Sequence, residues 1–216
     1  MKNGLKLSVN RNSGDLTTLF EIFVNSDYNF KGDPKISFNI LDIGANVGYF
    51  SLYIAKRFPK SSIFCFEPFT ETYGRLTDNL MRNNSANIKA YRLAVSDFNG
   101  TSQFYSLDWA GCNTLIKGKF DEGHYKTTNV ECISFDDIFK LTGVNEFMFG
   151  KIDCEGSEYQ IFLNSRDESI RSVRNYIIEV HNDKKFTSQD LITRFQSLGY
   201  IVKYKKNLME ANLIQG

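Results

Sequence analysis

The sequence has few residues that could build a metal cluster or a disulfide framework. Its 216 residues include four cysteines and two histidines, and without a Cys-x-x-Cys pair a thiolate zinc site has little support. We expect the cysteines to be reduced and mostly buried in strands. Only three prolines occur, and no low-complexity tract marks a linker. The sequence therefore predicts a single domain over residues 1–216, with a helical segment at about 1–35.

An excess of one charge and a long apolar run are also missing. Lysine and arginine number 26, aspartate and glutamate number 25, and the net charge is +1. No run of one sign is long enough to follow a phosphate backbone. Residues 1–10 lack the apolar core of a signal peptide, and no later stretch is long enough to cross a bilayer. We therefore expect a cytoplasmic protein that binds neither nucleic acid nor a membrane.

What the sequence does contain is an alternation of strand-like and helix-like segments. Apolar runs predict strands at 36–43, 62–66, 88–95, 147–153 and 175–180. Helical spacing predicts helices at 15–24, 49–58, 71–82, 135–140, 157–163 and 188–198. Turn residues suggest a hairpin at 100–132, and two closing strands at 200–205 and 207–214 lie close enough to pair antiparallel. This order predicts a doubly wound α/β fold with a mostly parallel, seven-stranded sheet and an antiparallel C-terminal hairpin.

The helix predicted at 15–24 is amphipathic. Its apolar residues Leu16, Leu19, Phe20 and Phe23 share one face in that prediction. We expect this face to cover either the sheet or a ligand.

The first strand is followed by a glycine turn of the kind that binds ligands. In a doubly wound sheet the ligand crevice lies beyond the carboxyl ends of the strands. Gly44 and Gly48 would allow a tight turn and close backbone approach, and the next helix offers N–H groups to a carboxylate. Asp42 could accept a hydrogen bond from an amino group. The Gly-x-x-x-Gly spacing lacks the middle glycine of the dinucleotide fingerprint, which disfavours a nicotinamide cofactor. A turn needed only for packing remains an alternative.

Polar residues also follow the next two strands. Glu67, about twenty residues beyond the glycine turn, occupies the position where such folds bind ribose hydroxyls, and Pro68 fixes the chain as it leaves the strand. An acid that only stabilises a helix N-terminus is the alternative. Val95 and Ser96, at the end of the third strand, would suit an adenine edge.

Acidic residues and a histidine end the later strands. Asp153, Glu155 and Glu158 gather in one strand-to-helix turn, and Glu179 and His181 close the following strand. Solvated acids beside a helix N-terminus and a structural histidine are the plainer interpretations.

Taken in order, these segments resemble a known family. The runs DIGANVGYFSLYIA, FEPF, LAVSD, VECISFDDI, KIDCEGSEYQIF and IIEVH closely resemble the FkbM-type methyltransferases, a branch of the class I S-adenosylmethionine-dependent enzymes. The resemblance covers residues 15–198. It departs at Cys154, where an aliphatic residue is usual, and over 107–125, which has no assignable pattern.

The resemblance implies a Rossmann-like class I methyltransferase fold and S-adenosylmethionine as the cofactor. Several family members methylate oxygen on sugars or polyketide-like natural products. Carried over, the motifs place Asp42, Gly44, Asn46 and Gly48 around the methionine part, Glu67 at the ribose, Ser96 at the adenine and Asp153 at the sulfonium side. The full predicted cofactor-binding set is Asp42, Gly44, Ala45, Asn46, Gly48, Tyr49, Glu67, Pro68, Val95, Ser96 and Asp153.

We therefore expect O-methylation of a hydroxyl on a sugar, glycolipid or natural product, and so a small-molecule or carbohydrate partner. His181 is the predicted base, oriented by Glu155 or Glu179. We predict no metal, although a divalent cation held by these three residues and Asp153 is an alternative. Cation–π contact from Tyr49 or Trp109 is a further possibility. A noncatalytic S-adenosylmethionine-binding module and an NAD-dependent oxidoreductase stay open.

Overall fold

A computed structural model describes residues 4–11, 13–25, 28, 30–106, 113–115 and 126–214. Within these ranges no helix is long and apolar enough to cross a membrane. The predicted segment 107–125, including Trp109, lies outside the described residues except for 113–115.

A seven-stranded sheet forms the centre of the molecule, as the sequence predicted. Its strand order is β10-β11-β9-β8-β1-β2-β3. All neighbours pair in parallel except at β11, which runs antiparallel to both β9 and β10. The strands are β1 Asn39–Ile43, β2 Ser62–Phe66, β3 Ile88–Tyr91, β8 Phe149–Ile152, β9 Asn175–Glu179, β10 Tyr200–Lys205 and β11 Leu208–Leu213.

A small second sheet lies beside the first, with order β4-β7-β5-β6. Its strands are β4 Ala94–Ser96, β5 Gly100–Ser106, β6 Asn113–Thr114 and β7 Lys126–Ser134. The prediction of one strand over 88–95 was therefore wrong. The chain leaves the large sheet after Tyr91, and Ala94–Ser96 pairs in parallel with β7 instead.

Helices connect the strands and cover both faces of the large sheet. They are α1 Asp15–Phe20, α2 Tyr49–Arg57, α3 Thr70–Arg82, α4 Ile138–Thr142, α5 Glu158–Asn164, α6 Asp167–Arg171 and α7 Ser188–Ser197. The sequence did not predict α6, and α4 is preceded by a 3₁₀ turn at Phe135–Asp137.

The buried apolar side chains form one cluster on each face of the large sheet and a third, smaller cluster in the small sheet. Alternation along β1 shows the division, since Leu41 packs on the face that α4 to α7 cover, while Ile40 packs on the face that α2 and α3 cover. Successive strand residues point to opposite faces, so every second residue of β1 joins the same cluster. The result is the three-layer, doubly wound architecture that the sequence predicted.

The N-terminal helix buries a different face from the one predicted. Leu16 and Phe20 are exposed, whereas Ile22 is buried, and Leu19 and Phe23 pack against the core. After α1 the chain continues as a π-helix over Glu21–Asn25, and this change of helix type rotates the later side chains, Ile22 among them, out of the 3.6-residue register.

Candidate active site

A cleft opens at the carboxyl ends of β1, β2 and β8. β1 lies between the other two, and the chain crosses from one half of the sheet to the other here, the point where such folds bind ligands. The cleft encloses about 600 Å³ including its open mouth. Seven residues predicted from the sequence line it: Gly44, Asn46, Glu67, Pro68, Val95, Asp153 and Glu155.

The glycine turn forms one wall of this cleft. Gly44 has φ +73°, and a Cβ added to it would lie 1.7 Å from the carbonyl oxygen of Asp153. Its N–H donates to the carbonyl of Phe66. The close approach that requires glycine here is thus to the backbone at the end of β8. Gly48, with φ +81°, is the N-cap residue of α2 and does not line the cleft.

Glu67 is buried at the edge of the cleft with its carboxylate fixed. Its two oxygens accept the backbone N–H groups of Asn46 and Phe69, each at 3.0 Å. Burial raises the pKa of Glu67 to about 7, although these two hydrogen bonds and the charge of Lys151 act in the opposite direction. A carboxylate has about four lone-pair sites, so each oxygen can still accept a hydroxyl from a ligand.

The remaining wall of the cleft is largely apolar. Phe66 and Leu93 come from the large sheet and the connection after it, and Phe104 and Leu115 come from the small sheet and the residue after β6. The ring of Phe104 stacks on that of Phe69 with centroids 6.1 Å apart. A flat aromatic group such as adenine could bind between these side chains.

A second cavity lies on the other side of the glycine turn, beneath the N-terminal helix. Asn46 and Asp153 line both cavities. The second is also lined by Thr18, Glu21, Ile22, Tyr28, Ala45, Val47, Tyr49, Phe50 and Lys151. Ala45 and Tyr49, both predicted to bind the cofactor, are therefore in this cavity and not in the cleft. The Tyr49 hydroxyl lies 2.6 Å from the Ser8 carbonyl oxygen.

Two polar side chains of the predicted cofactor-binding set, those of Asp42 and Ser96, lie away from both cavities. Asp42 is fully buried beneath α2, where Ser51 donates a hydrogen bond of 2.6 Å to it. It cannot accept a hydrogen bond from a ligand in either cavity in this arrangement. Ser96 is also fully buried, its hydroxyl 3.2 Å from Asp97, and it lines neither cavity.

Nδ1 of His181 is held by Glu158, which the sequence did not suggest as its partner, while the predicted Glu155 and Glu179 lie on the Nε2 side. A single oxygen of the fully buried Glu158 accepts the backbone N–H of His181 at 2.6 Å and lies 3.1 Å from Nδ1. The other Glu158 oxygen accepts the N–H of Gly156. Nε2 faces the remaining carboxylates, 3.5 Å from Glu155 and 4.0 Å from both Asp153 and Glu179.

These charges control the protonation of His181. Burial alone would lower its pKa, but the hydrogen bond and charge of Glu158, followed by the charges of Glu155 and Asp153, raise it to about 9. At neutral pH the imidazole of the unliganded protein is therefore protonated. One donor atom each from Asp153, Glu179 and His181 lie within 4.8 Å of one another, a spacing that one divalent cation could also bridge.

Comparison with known proteins identifies the family of this chain. A family model described as the methyltransferase FkbM domain matches residues 42–202. The chain belongs to the FkbM methyltransferase family.

Individual relatives agree with this assignment. Methyltransferase 1 of Beauveria bassiana is 25% identical over 86% of this chain and 81% of its own. The 31-O-demethyl-FK506 methyltransferase FkbM of Streptomyces tacrolimicus is 24% identical over 79% of this chain and 76% of its own. The 2-O-methyltransferase NoeI of Sinorhizobium fredii is 23% identical over 74% of this chain and 68% of its own. A methyltransferase structure from Pyrococcus furiosus shares the fold, with TM-score 0.51, 14% identity, and coverage of 96% and 87%.

This FkbM methyltransferase uses S-adenosylmethionine, as its family does, and its residues fit that cofactor. The cleft combines an apolar side, a buried carboxylate at Glu67 and a second carboxylate at Asp153. These suit in turn an adenine, a pair of ribose hydroxyls and a sulfonium. Val47 and Tyr49, just before and at the start of α2, line the second cavity, where a carboxylate would complement the helix dipole.

Sequence reasoning missed several residues that line the methyltransferase's cleft. Phe104 and Leu115 reach it from the small sheet, whose position no local pattern reveals. Cys154 directly follows Asp153, Ser157 lies two residues after Glu155 and Thr72 lies four after Pro68. Their proximity to the motifs was the available signal. The residues that line the cleft beyond the predicted set are Ile43, Phe66, Thr72, Leu93, Ala94, Phe104, Leu115, Cys154 and Ser157.

Proposed function

We propose that this methyltransferase transfers its methyl group to a hydroxyl oxygen of a sugar, glycolipid or natural product. Two relatives carry O-methylation in their names, the 31-O-demethyl-FK506 methyltransferase and the 2-O-methyltransferase NoeI. The observation that carries the proposal is His181, whose Nε2 faces Asp153 and Glu155 at the edge of the donor cleft.

His181 is proposed to take the acceptor's proton. When bound, S-adenosylmethionine supplies a methyl carbon activated by a positively charged sulfur. An alcohol must lose its proton as it attacks, and a placed base contributes about 10²–10⁴ in rate. Glu158 fixes Nδ1 and directs Nε2 to the acceptor side. A positive charge placed beside Asp153 would weaken that carboxylate's hold on the imidazolium and so lower the pKa of His181 toward neutrality.

Glu155 and Glu179 are proposed to orient the acceptor. Glu179 is itself held by two donors, the hydroxyl of Tyr28 and the side-chain amide of Asn207, both at 2.7 Å. A carboxylate fixed in this way can accept hydrogen bonds from hydroxyl groups neighbouring the one that reacts. An acceptor with several hydroxyls, such as a sugar, suits this arrangement.

A divalent cation between Asp153, Glu179 and His181 is the second candidate for activating the acceptor. The spacing of the three donor atoms favours it, and a bound cation would lower the pKa of an acceptor hydroxyl. If methyl transfer survives exhaustive treatment with EDTA, His181 acts as the base without a metal. If EDTA abolishes transfer and Mn²⁺ or Mg²⁺ restores it, a divalent cation activates the acceptor.

The decisive experiment incubates the protein with methyl-labelled S-adenosylmethionine and panels of polyols, glycosides and hydroxylated natural products. We expect label to appear on an acceptor oxygen, resistant to mild base. His181→Gln should keep affinity for S-adenosylhomocysteine and lose about 10²–10⁴ of the rate, while exposed Lys203→Gln serves as the control. Full turnover by His181→Gln would show that His181 is not the base. Cofactor binding by the unmodified protein without transfer to any acceptor would favour a noncatalytic module.

A further inference from the structure

Lys151 is a buried charge that the proposed mechanism does not use. It lies on β8 with its side chain 6% exposed. Its Nζ donates a hydrogen bond of 2.8 Å to the carbonyl of Gly44 and lies 3.2 Å from the carboxylate of Asp153. Gly44 belongs to the glycine turn and Asp153 to the end of β8, so one ammonium group joins the two walls of the donor cleft.

Asp42 completes this arrangement from below. Its Oδ1 is 3.6 Å from Nζ of Lys151, and among the described residues it is the one buried side-chain nitrogen or oxygen without a hydrogen-bond partner. Burial raises the pKa of Asp42, and the charge of Lys151 and the Ser51 hydrogen bond oppose that rise. One oxygen of Asp42 accepts a hydrogen bond from Ser51, and the other faces the ammonium group of Lys151 without a hydrogen bond. The main role of that second oxygen is therefore to neutralise the charge of Lys151.

Stability alone does not explain why a lysine is buried at position 151. Burying an ion pair brings little net stabilisation compared with apolar side chains of the same size. The contacts of Lys151 are, however, directed at groups that shape the cleft: the Gly44 carbonyl sets the path of the turn, and the bond to Oδ2 of Asp153 leaves Oδ1 on the side of His181. Both groups border the space where the methyl donor binds.

We propose that Lys151 is a positioning residue for the methyl donor, which ties Gly44 to Asp153 and so fixes the width of the cleft, with Asp42 as its buried counter-ion. The inference goes beyond the proposed acceptor chemistry, because it concerns donor binding alone. It also gives Asp42 a role other than the direct contact that its motif suggests.

Three variants and a control test this role. Lys151→Met removes the tie and leaves Asp42 unpaired, so both stability and affinity for S-adenosylhomocysteine should fall. Lys151→Met combined with Asp42→Asn removes the unpaired charge. Its melting temperature should therefore regain most of what Lys151→Met alone loses. Affinity should stay at least tenfold below that of the unmodified protein. Asp42→Asn alone removes the counter-ion but keeps the tie, so it should bind more tightly than either lysine variant. Lys203→Met, on the exposed edge strand, should match the unmodified protein.

Calorimetric titration with S-adenosylhomocysteine and thermal unfolding give the two readouts. A double variant that is stable and binds as tightly as the unmodified protein would overturn the proposal and leave Lys151 a structural ion pair. If the lysine variants do not fold, a crystal structure of the unmodified protein with S-adenosylhomocysteine decides. Nζ within hydrogen-bond distance of both Gly44 and Asp153 supports the role, and loss of either contact contradicts it. Binding by the unmodified protein is measured in the same series, so the assignment of the cofactor is judged separately.

Discussion

Replacing Gly44 by alanine should damage both stability and donor binding, and the size of the effect can be worked from the structure. At φ +73° an alanine costs about 1–2 kcal/mol of backbone strain. Its Cβ would also lie 1.7 Å from the Asp153 carbonyl oxygen, where ordinary contact begins near 3.4 Å. The turn and the end of β8 must therefore separate by more than an ångström, at a cost of about 1–3 kcal/mol.

The sum is about 2–5 kcal/mol, which for a domain of this size lowers Tm by roughly 5–15 °C. Two other glycines isolate the contributions. Gly143 has φ +71° and open space around its Cβ position. Gly143→Ala therefore has the backbone strain of Gly44→Ala without its steric clash. Gly74, exposed in α3, has neither problem, and Gly74→Ala should gain up to about 1 kcal/mol.

The assay is thermal unfolding of the three variants, with calorimetric binding of S-adenosylhomocysteine alongside. We expect Gly44→Ala to lose at least several degrees more than Gly143→Ala and to bind the ligand at least tenfold more weakly. Equal losses of Tm in Gly44→Ala and Gly143→Ala would refute the close packing of the turn against β8. Unchanged affinity in Gly44→Ala would refute the turn as a wall of the donor site.

Three further predictions follow from single side chains. Because the pKa of Glu67 is raised to about 7, affinity for S-adenosylhomocysteine should fall as pH drops below 7, by up to about tenfold per unit; titrations of Glu67→Gln should lack that slope. The raised pKa of His181, about 9, stabilises the unliganded protein fully below about pH 6.5. About 3 kcal/mol of the free energy of unfolding is lost as pH rises through 9. Urea unfolding measured over this pH range should show the loss in the unmodified protein and not in His181→Gln. Phe104→Leu should weaken binding of S-adenosylhomocysteine by about 0.5–1.5 kcal/mol. It should also lower Tm, because Phe104 is buried and stacks on Phe69.

The order of elements in the large sheet could be predicted because its buried strands are short apolar runs and its longer helices carry 3.6-residue spacing. The five-residue α6 is too short to show such a spacing. The glycine turn and Glu67 were found for a similar local reason, since both follow a strand directly. Burial of Asp42 was also within reach of the sequence. Ile40 and Asp42 are two residues apart on β1, so they point to the same face, and Ile40 packs beneath the helix that follows.

The role of Glu158 could not be predicted in the same way. Glu155 and Glu158 have the same side chain three residues apart, and only the backbone decides which one is buried and meets Nδ1 of His181. Glu155 has φ +56° and Gly156 φ +108°, and these left-handed residues turn the chain so that Glu158 enters the core. The contact then spans 23 residues, a distance at which a single sequence carries no signal. The place of Phe104 depends likewise on how the small sheet folds over the cleft.

We expect the methyl donor to bind between the glycine turn and Glu67, and a crystal structure of the unmodified protein with S-adenosylhomocysteine is the direct test. We predict the ribose hydroxyls within hydrogen-bond distance of the Glu67 carboxylate, with the adenine against Phe104. Electron density for the ligand at another place, or a ribose that Glu67 does not contact, would contradict the account.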